Sequence, residues 1–549
     1  MNKSIITLTL GLAGAMLCDP ASACTSLIAA KNATTDGSVF LTYAADSHTL
    51  YGELYSRAAT TGNPKGTMRE VIEWDTARPL GKIPQPSETY ATVGNMNEHG
   101  VAIVESTWGG RKELDGEGKG GLIDYGSLIY IALERAKTAR EALDIMTSLA
   151  NEYGYASSGE SFTIGDGNEV WILELIGKGD FGKGVVWVAC RIPDDCISGH
   201  ANHPRIHKFP LKDKKNCLYS PDVIKFARER GYFNGRDEDF SFSTAYAPID
   251  FGAVRGCDAR VWAYFNKYAS GMDKYLPWVM EGKGEPLPLY VKPDKEKLNA
   301  RKMQWMMRDH FEDTPMDMTV DVGAGPFKVP YRWRPMDFTV DSVEYVHERA
   351  IATQQTGFSL VAQLNTNAPE PMKGILWFGT DDANTSVYVP FFNSTTRVPE
   401  AFAPGNGDMY NISWTSSFWV NNYVANQAYN RYSAMIGDIR NVQNALEDRM
   451  EQSVDSLRTA VAGMPLDEAK ELLNATSEQL SADYVKRYKE LGDYLLVKYL
   501  DGNIKKERDG KFARTQHGIP ESPTFGGYDD PRYFRSIVND AGEKLRVKF

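Results

Sequence analysis

Clusters of basic residues are missing from this 549-residue chain, whose formal net charge is −11. That absence argues against nucleic acid or an anionic membrane as a partner, because both are held through accumulated positive charge. Long apolar runs are missing as well. Beyond the leader no stretch approaches the roughly 20 apolar residues that a bilayer-spanning helix needs. There is no low-complexity tail and no internal repeat. Cysteine is scarce, six residues in all, and no cysteine pair has metal-ligand spacing. The glycine-rich stretch Gly116 to Gly121 lacks phosphate-loop spacing and reads as a flexible loop beside a substrate. What is present, 42% hydrophobic and 11% aromatic residues, describes a folded globular protein. Its length suits two or more domains, or one large enzyme with an extension.

Residues 1–23 read as a secretory signal. Lys3 gives a short positive n-region, Ile5 to Leu17 an apolar h-region, and Ala21-Ser22-Ala23 the small-residue cleavage pattern. A cut there makes Cys24 the first residue of the mature protein. Cys24 then owns both a thiol and a free α-amine. The amine, with an ordinary pKa near ~7.7–8.0, can take the thiol's proton in place of a histidine. A lipoprotein also begins at a cysteine, but Ala21, Ser22 and Ala23 lack the large aliphatic residue of such sites. Cys18 is no better placed, because it follows Leu17 where a small residue is expected. Simple cleavage is therefore the preferred reading, and it excludes lipidation, which would acylate the amine and the thiol.

Export leaves Cys190, Cys196, Cys217 and Cys257 in an oxidising compartment. Four cysteines allow three pairings. Cys190–Cys196 is favoured, since residues 191–195 read as a tight turn between two strands. Four buried thiols are the competing reading.

Along the chain, Thr25 to Ala30 and Ser38 to Ala45 flank a polar turn and form a first hairpin. Cys24 would stand on its first residue, a rigid support for a catalytic group. Tyr90 to Gly94 and Val101 to Glu105 form a second hairpin. Leu128 to Lys137 is apolar at helical period, and Thr138 to Glu141 is a capping box for a helix ending near Glu152. Strands follow at Ser161 to Ile164, Val170 to Ile176 and Val185 to Cys190, rich enough in apolar residues to be buried on both faces. Ser220-Pro221 opens a further helix. Later strands are expected at Phe358 to Leu364, Gly374 to Gly379 and Ser386 to Phe392. After about Asn406 the character changes, and Trp419 to Ala462 and Leu466 to Asp501 read as long helices. The fold class is α+β, packed sheets flanked by helices.

Several of these segments together resemble the dipeptidase A family of N-terminal-nucleophile (Ntn) hydrolases. They are Cys24-Thr25-Ser26, Asp36-Gly37-Ser38, Asn97-Glu98-His99-Gly100, Glu169-Val170-Trp171 and Arg308 to Glu312 running into Thr314-Pro315. The likeness extends from Cys24 to about Leu500. It implies an Ntn four-layer αββα sandwich over residues 24–405, with a mainly helical extension over 406–549. The related bile-salt and penicillin V acylases suggest roles position by position. Asp46, nine residues after Gly37, resembles their catalytic aspartate. Asn202, before His203-Pro204, resembles the residue that helps bind the oxyanion. Arg260 resembles the arginine near the nucleophile, and Thr107 lies near a second polar contact for oxyanion or substrate. One departure is plain: Tyr43 stands where the acylases carry an arginine, which favours the dipeptidase branch.

Amide hydrolysis needs a nucleophile, a proton carrier and an oxyanion site. Cys24 would attack, its amine would carry the proton, and Asp46 would orient that amine. Arg260 would lower the thiol pKa by its charge, and Asn202 would donate to the oxyanion, a contact typically worth ~3 kcal/mol. Each residue has a plainer reading. Asp46 could be a solvated turn residue, Asn202 a turn initiator, and Arg260 an ion-pair partner of Asp258 or Asp36. His200, His203 and His207 share a helical spacing, but Pro204 interrupts any such helix, so no metal site is expected. No cofactor is expected either. The sequence therefore reads as an exported, periplasmic or extracellular, cysteine hydrolase acting on dipeptides or short peptides, with no membrane span. An N-acyl amidase is the alternative enzyme, and a lipid-anchored surface binding protein the alternative of another class. The C-terminal helices would cover the active site or build a homo-oligomer contact.

Overall fold

A computed structural model describes residues 24–548. The expected signal over residues 1–23 lies outside the described residues. Two antiparallel sheets form the centre. In the first, the strand Ser26–Ala29 pairs with Ile197–His200 on one side and Val39–Asp46 on the other. Tyr290–Val291 lies beyond Ile197–His200, and Thr356–Leu364, Gly374–Thr380 and Val389–Phe392 complete the other side. The second sheet runs from Cys217–Tyr219 through Val185–Arg191, Val170–Gly177, Gly159–Gly165 and Ala102–Trp108 to three two-residue strands. All eight residues of Val39–Asp46 and of Val170–Gly177 are buried, which is why these strands read as continuous apolar runs rather than alternating ones.

The sheets meet where Val39–Asp46 crosses Ala102–Trp108. Helices Tyr125–Leu133 and Ala139–Tyr153 cover the far face of the second sheet, packing Leu128, Leu143 and Met146 on Ile103, Phe162 and Leu173. The second of these helices has the expected cap. Thr138 accepts from the Glu141 N–H at 3.2 Å, while the Glu141 carboxylate turns back to the Lys137 N–H at 2.8 Å, one residue upstream of the usual reciprocal bond. Helices Ala259–Tyr268 and Ala300–Met306 lie against the first sheet. So do Ser417–Ala428, Tyr432–Ala460 and Leu466–Lys498, which pack on its last two strands. Arg308, buried, pairs with Glu447 of the 29-residue helix and ties it to the core. No helix among the described residues is long and apolar enough to cross a membrane.

One expectation needs correction. The favoured Cys190–Cys196 bridge is absent. Residues 191–195 do turn the chain, but they carry it from the second sheet to the first instead of folding it back as a hairpin. Cys190 instead faces Cys217 across the second sheet, with the sulfurs 3.8 Å apart, and the Cys196 thiol donates to Asp195 at 3.6 Å. The strand Ile197–His200 was also illegible, being four residues long with Ser198, Gly199 and His200 among them, yet it sits beside the first strand.

His200 shows why that strand matters. Its Nδ1 lies 2.6 Å from the Ser106 hydroxyl and its Nε2 2.8 Å from that of Thr163, so the ring bridges the two sheets. Burial, with Arg205 adding to it, pushes the imidazole pKa down to about 3. A neutral ring can donate with one nitrogen and accept with the other. His200→Ala should cost on the order of 2–4 kcal/mol, through a cavity and two stranded hydroxyls. Urea unfolding monitored by fluorescence checks this value.

Candidate active site

Cys24 stands two residues before the first central strand, and its neighbour Thr25 exchanges main-chain hydrogen bonds with Ala44 at 3.3 and 3.0 Å. The residue is buried. Its Sγ lies 3.5 Å from Glu105 Oε1 and 3.8 Å from the Tyr43 hydroxyl, and the Asp46 main-chain N–H donates to it. Burial pushes the thiol pKa well up, and the charges of Glu105 and Asp46 push it further, against the Asp46 N–H. The sulfur therefore rests as a thiol.

Arg260 follows a seven-residue π-helical turn, Gly252–Asp258, at the start of the helix Ala259–Tyr268. Such turns are rare and concentrate at functional sites. Its Nη1 donates to the Cys24 carbonyl at 2.8 Å and to the Thr25 hydroxyl at 2.7 Å. Its Nη2 donates to Asn202 Oδ1 at 2.9 Å and its Nε to the Gly256 carbonyl at 2.7 Å. The guanidinium thus holds the main chain at Cys24 and the side chain of its neighbour. Asp258 pairs instead with Arg205, at 3.2 Å.

Asn202 adopts φ +52°, a left-handed conformation that asparagine tolerates better than most residues. With Oδ1 fixed by Arg260, its amide nitrogen donates to the Thr107 carbonyl at 2.7 Å. The Thr107 hydroxyl donates to Glu160 Oε2 at 3.0 Å. Asp46 is buried at the end of its strand, beside the thiol. Arg349 pairs with its carboxylate and the Thr356 hydroxyl donates to it at 2.6 Å. Burial raises the Asp46 pKa, and Arg349 and Thr356 counter that rise. Arg349 reaches Asp46 from far along the chain.

Glu105 and Glu160 complete the surroundings. They lie on neighbouring strands, both fully buried, with their carboxyls in hydrogen-bonding contact. Tyr43 donates to Glu105. Burial raises the pKa of both groups, and for Glu160 the Glu105 charge adds to the rise. Two carboxyls so close hold a proton between them.

Comparison with known proteins now identifies the class. The profile of peptidase family C69 matches residues 23–445, so the chain belongs to that family. A probable dipeptidase of Latilactobacillus sakei is 23% identical over 480 residues, covering 84% of this chain and 92% of that protein. A dipeptidase of Bifidobacterium longum (strain NCC 2705) is 24% identical over 524 residues, covering 84% and 88%. Among solved structures, penicillin V acylase from Agrobacterium tumefaciens overlaps 30% of this chain and 48% of its own at 16% identity, with a TM-score of 0.18.

Cys24, Asp46, Asn202 and Arg260 thus converge, while Thr107 joins them only through its carbonyl. Glu105, Glu160, Arg349 and Thr356 were not foreseen. For the two glutamates a signal existed: each is a carboxylate inside a strand that is otherwise apolar or small, a placement carboxylates avoid unless paired.

The raised pKa values set a sign for stability. A carboxyl whose folded pKa is raised stabilises below the ordinary range near ~4.3, and that contribution is lost as pH rises through the folded value. Glu160→Gln should therefore raise the melting temperature relative to the parent at pH 8, with the gain disappearing near pH 4. Thermal melts of both proteins across that range check the sign.

Proposed function

We propose that this protein is an exported cysteine dipeptidase of the Ntn class, a four-layer αββα sandwich with a helical extension after residue 405. The observation that carries the reading is the Arg260 clamp, which joins the Cys24 main chain to the Asn202 side chain. Further support comes from relatives named dipeptidase along most of the chain and from a family match that opens at residue 23, beside Cys24. Arg260 Nη1 holds Cys24 as a chain start would need to be held, by its carbonyl and by the hydroxyl of its neighbour Thr25.

Signal-peptide removal before Cys24 would free the α-amine. That amine takes the thiol proton as Sγ attacks the substrate carbonyl carbon. The oxyanion is met by the Asn202 side-chain amide. The Asp46 N–H stabilises charge on the sulfur, and the Asp46 carboxylate directs the amine. The amine then passes its proton to the leaving nitrogen, and a thioester remains. Water attacks the thioester, the N-terminal amino acid leaves, and the thiol is restored. Arg260 acts as a positioning residue throughout.

The mature protein from an exporting host should have an intact mass that begins at an unmodified Cys24. Cys24→Ala should lower kcat/KM on dipeptides by at least about 10³-fold. Full hydrolysis by that variant would overturn the mechanism, and an acyl mass on Cys24 would support a lipid-anchored protein instead.

A further inference from the structure

Cysteine chemistry leaves Glu105 and Glu160 unused. Both belong to strands of the second sheet. Apart from each other, Glu105 Oε2 and Glu160 Oε1 meet no hydrogen-bond donor among the described residues, although both are fully buried. Their remaining oxygens are occupied, by Tyr43 and the Cys24 thiol for Glu105 and by Thr107 for Glu160. Asp75, which accepts from the Tyr125 hydroxyl at 2.9 Å, adds to the negative field on both. Buried carboxylates ordinarily have a cationic or donor partner. Two adjacent ones with a stranded oxygen each, beside a nucleophile, form a receptor for a cation that arrives with the substrate.

We infer that Glu105 and Glu160 receive the protonated α-amine of the substrate's N-terminal residue and make a free N-terminus a requirement for cleavage. The inference rests on the reading of Cys24 as the nucleophile. Its geometry is set by the substrate. Attack brings the scissile carbonyl carbon to about 3–3.5 Å from the sulfur. The α-nitrogen of the same residue is about 2.5 Å from that carbon, two bonds away. The ammonium therefore falls within about 6 Å of Sγ whatever the side chain. Glu105 Oε1, 3.5 Å from the sulfur, lies in that shell, and the Glu160 carboxyl is in contact with Glu105. An ammonium brings three donors, enough for both stranded oxygens. As it enters, the proton shared by the two carboxyls leaves to solvent, so two carboxylates face one cation and its hydrogen bonds. A blocked amine brings neither the charge nor the donors. The same groups thus favour dipeptides over N-acylated amides at a site whose nucleophile serves either.

The test uses the mature enzyme with one dipeptide, its N-acetyl derivative and its des-amino analogue. The parent should prefer the dipeptide over both analogues by about 100-fold or more in kcat/KM, as sites built around a substrate N–H do. Glu160→Gln should shrink that preference by about 30-fold or more, the size of a charge-assisted hydrogen bond, with the loss chiefly in KM. An equal loss on all three substrates, leaving the preference intact, would overturn the inference and assign the pair to the amine of Cys24 or to structure. If the variant does not fold, the parent decides: comparable rates on the dipeptide and its des-amino analogue overturn the inference. A parent that cleaves the dipeptide with no preference keeps the dipeptidase reading and sinks only the receptor. A parent that cleaves none of the three sinks both.

Discussion

A single buried guanidinium holds this site together. Arg260, about 1% exposed, satisfies its fork with the Cys24 carbonyl, the Thr25 hydroxyl, the Asn202 side chain and the Gly256 carbonyl. A buried charge without such partners would cost several kcal/mol, so the arginine and the groups it holds are mutually dependent. The planar fork also fixes angles that a lysine would leave loose. Through it three distant segments, the start of the first strand, the turn after Ile197–His200 and the π-helical entry to Ala259–Tyr268, are brought into one geometry.

Around this clamp the charges divide. On the side of the first sheet, Asp46 is buried against Arg349 and Thr356, which offset its desolvation. On the side of the second sheet, Glu105 and Glu160 are buried against each other with neutral donors only, Tyr43 and the Cys24 thiol for one and Thr107 for the other, and burial raises their pKa values. The fold bears a cost there that a pair of glutamines would avoid. Stability forgone next to a reactive group is the usual mark of a site shaped for a ligand. The same burial keeps the Cys24 thiol protonated at rest.

How much of this was legible in sequence depended on how local each signal was. The long apolar strands such as Val170–Gly177 and the capped helix at Thr138 announce themselves within a few residues. Ile197–His200 does not, because its pairing partner is some 170 residues earlier and its composition is polar and small. Among site residues, Cys24, Asp46, Asn202 and Arg260 were reached through segments that resemble a known family. Arg349 and Thr356 carry no local pattern and meet Asp46 only because Thr356–Leu364 pairs with Val39–Asp46. The turn at residues 191–195 misled for a related reason, since a turn in sequence does not say which sheet the chain enters next.

The central claim is that the Cys24 sulfur takes the acyl half of a substrate whose amine lies against the second sheet. It is tested most directly by trapping the intermediate. The mature protein would be mixed with an amino-acid ester as a slowly turned-over substrate, quenched in acid, digested, and the modified peptide sequenced by mass spectrometry. The account predicts one aminoacyl group, bound as a thioester at Cys24. An aminoacyl group on any other residue, or none while the ester is hydrolysed, would contradict it.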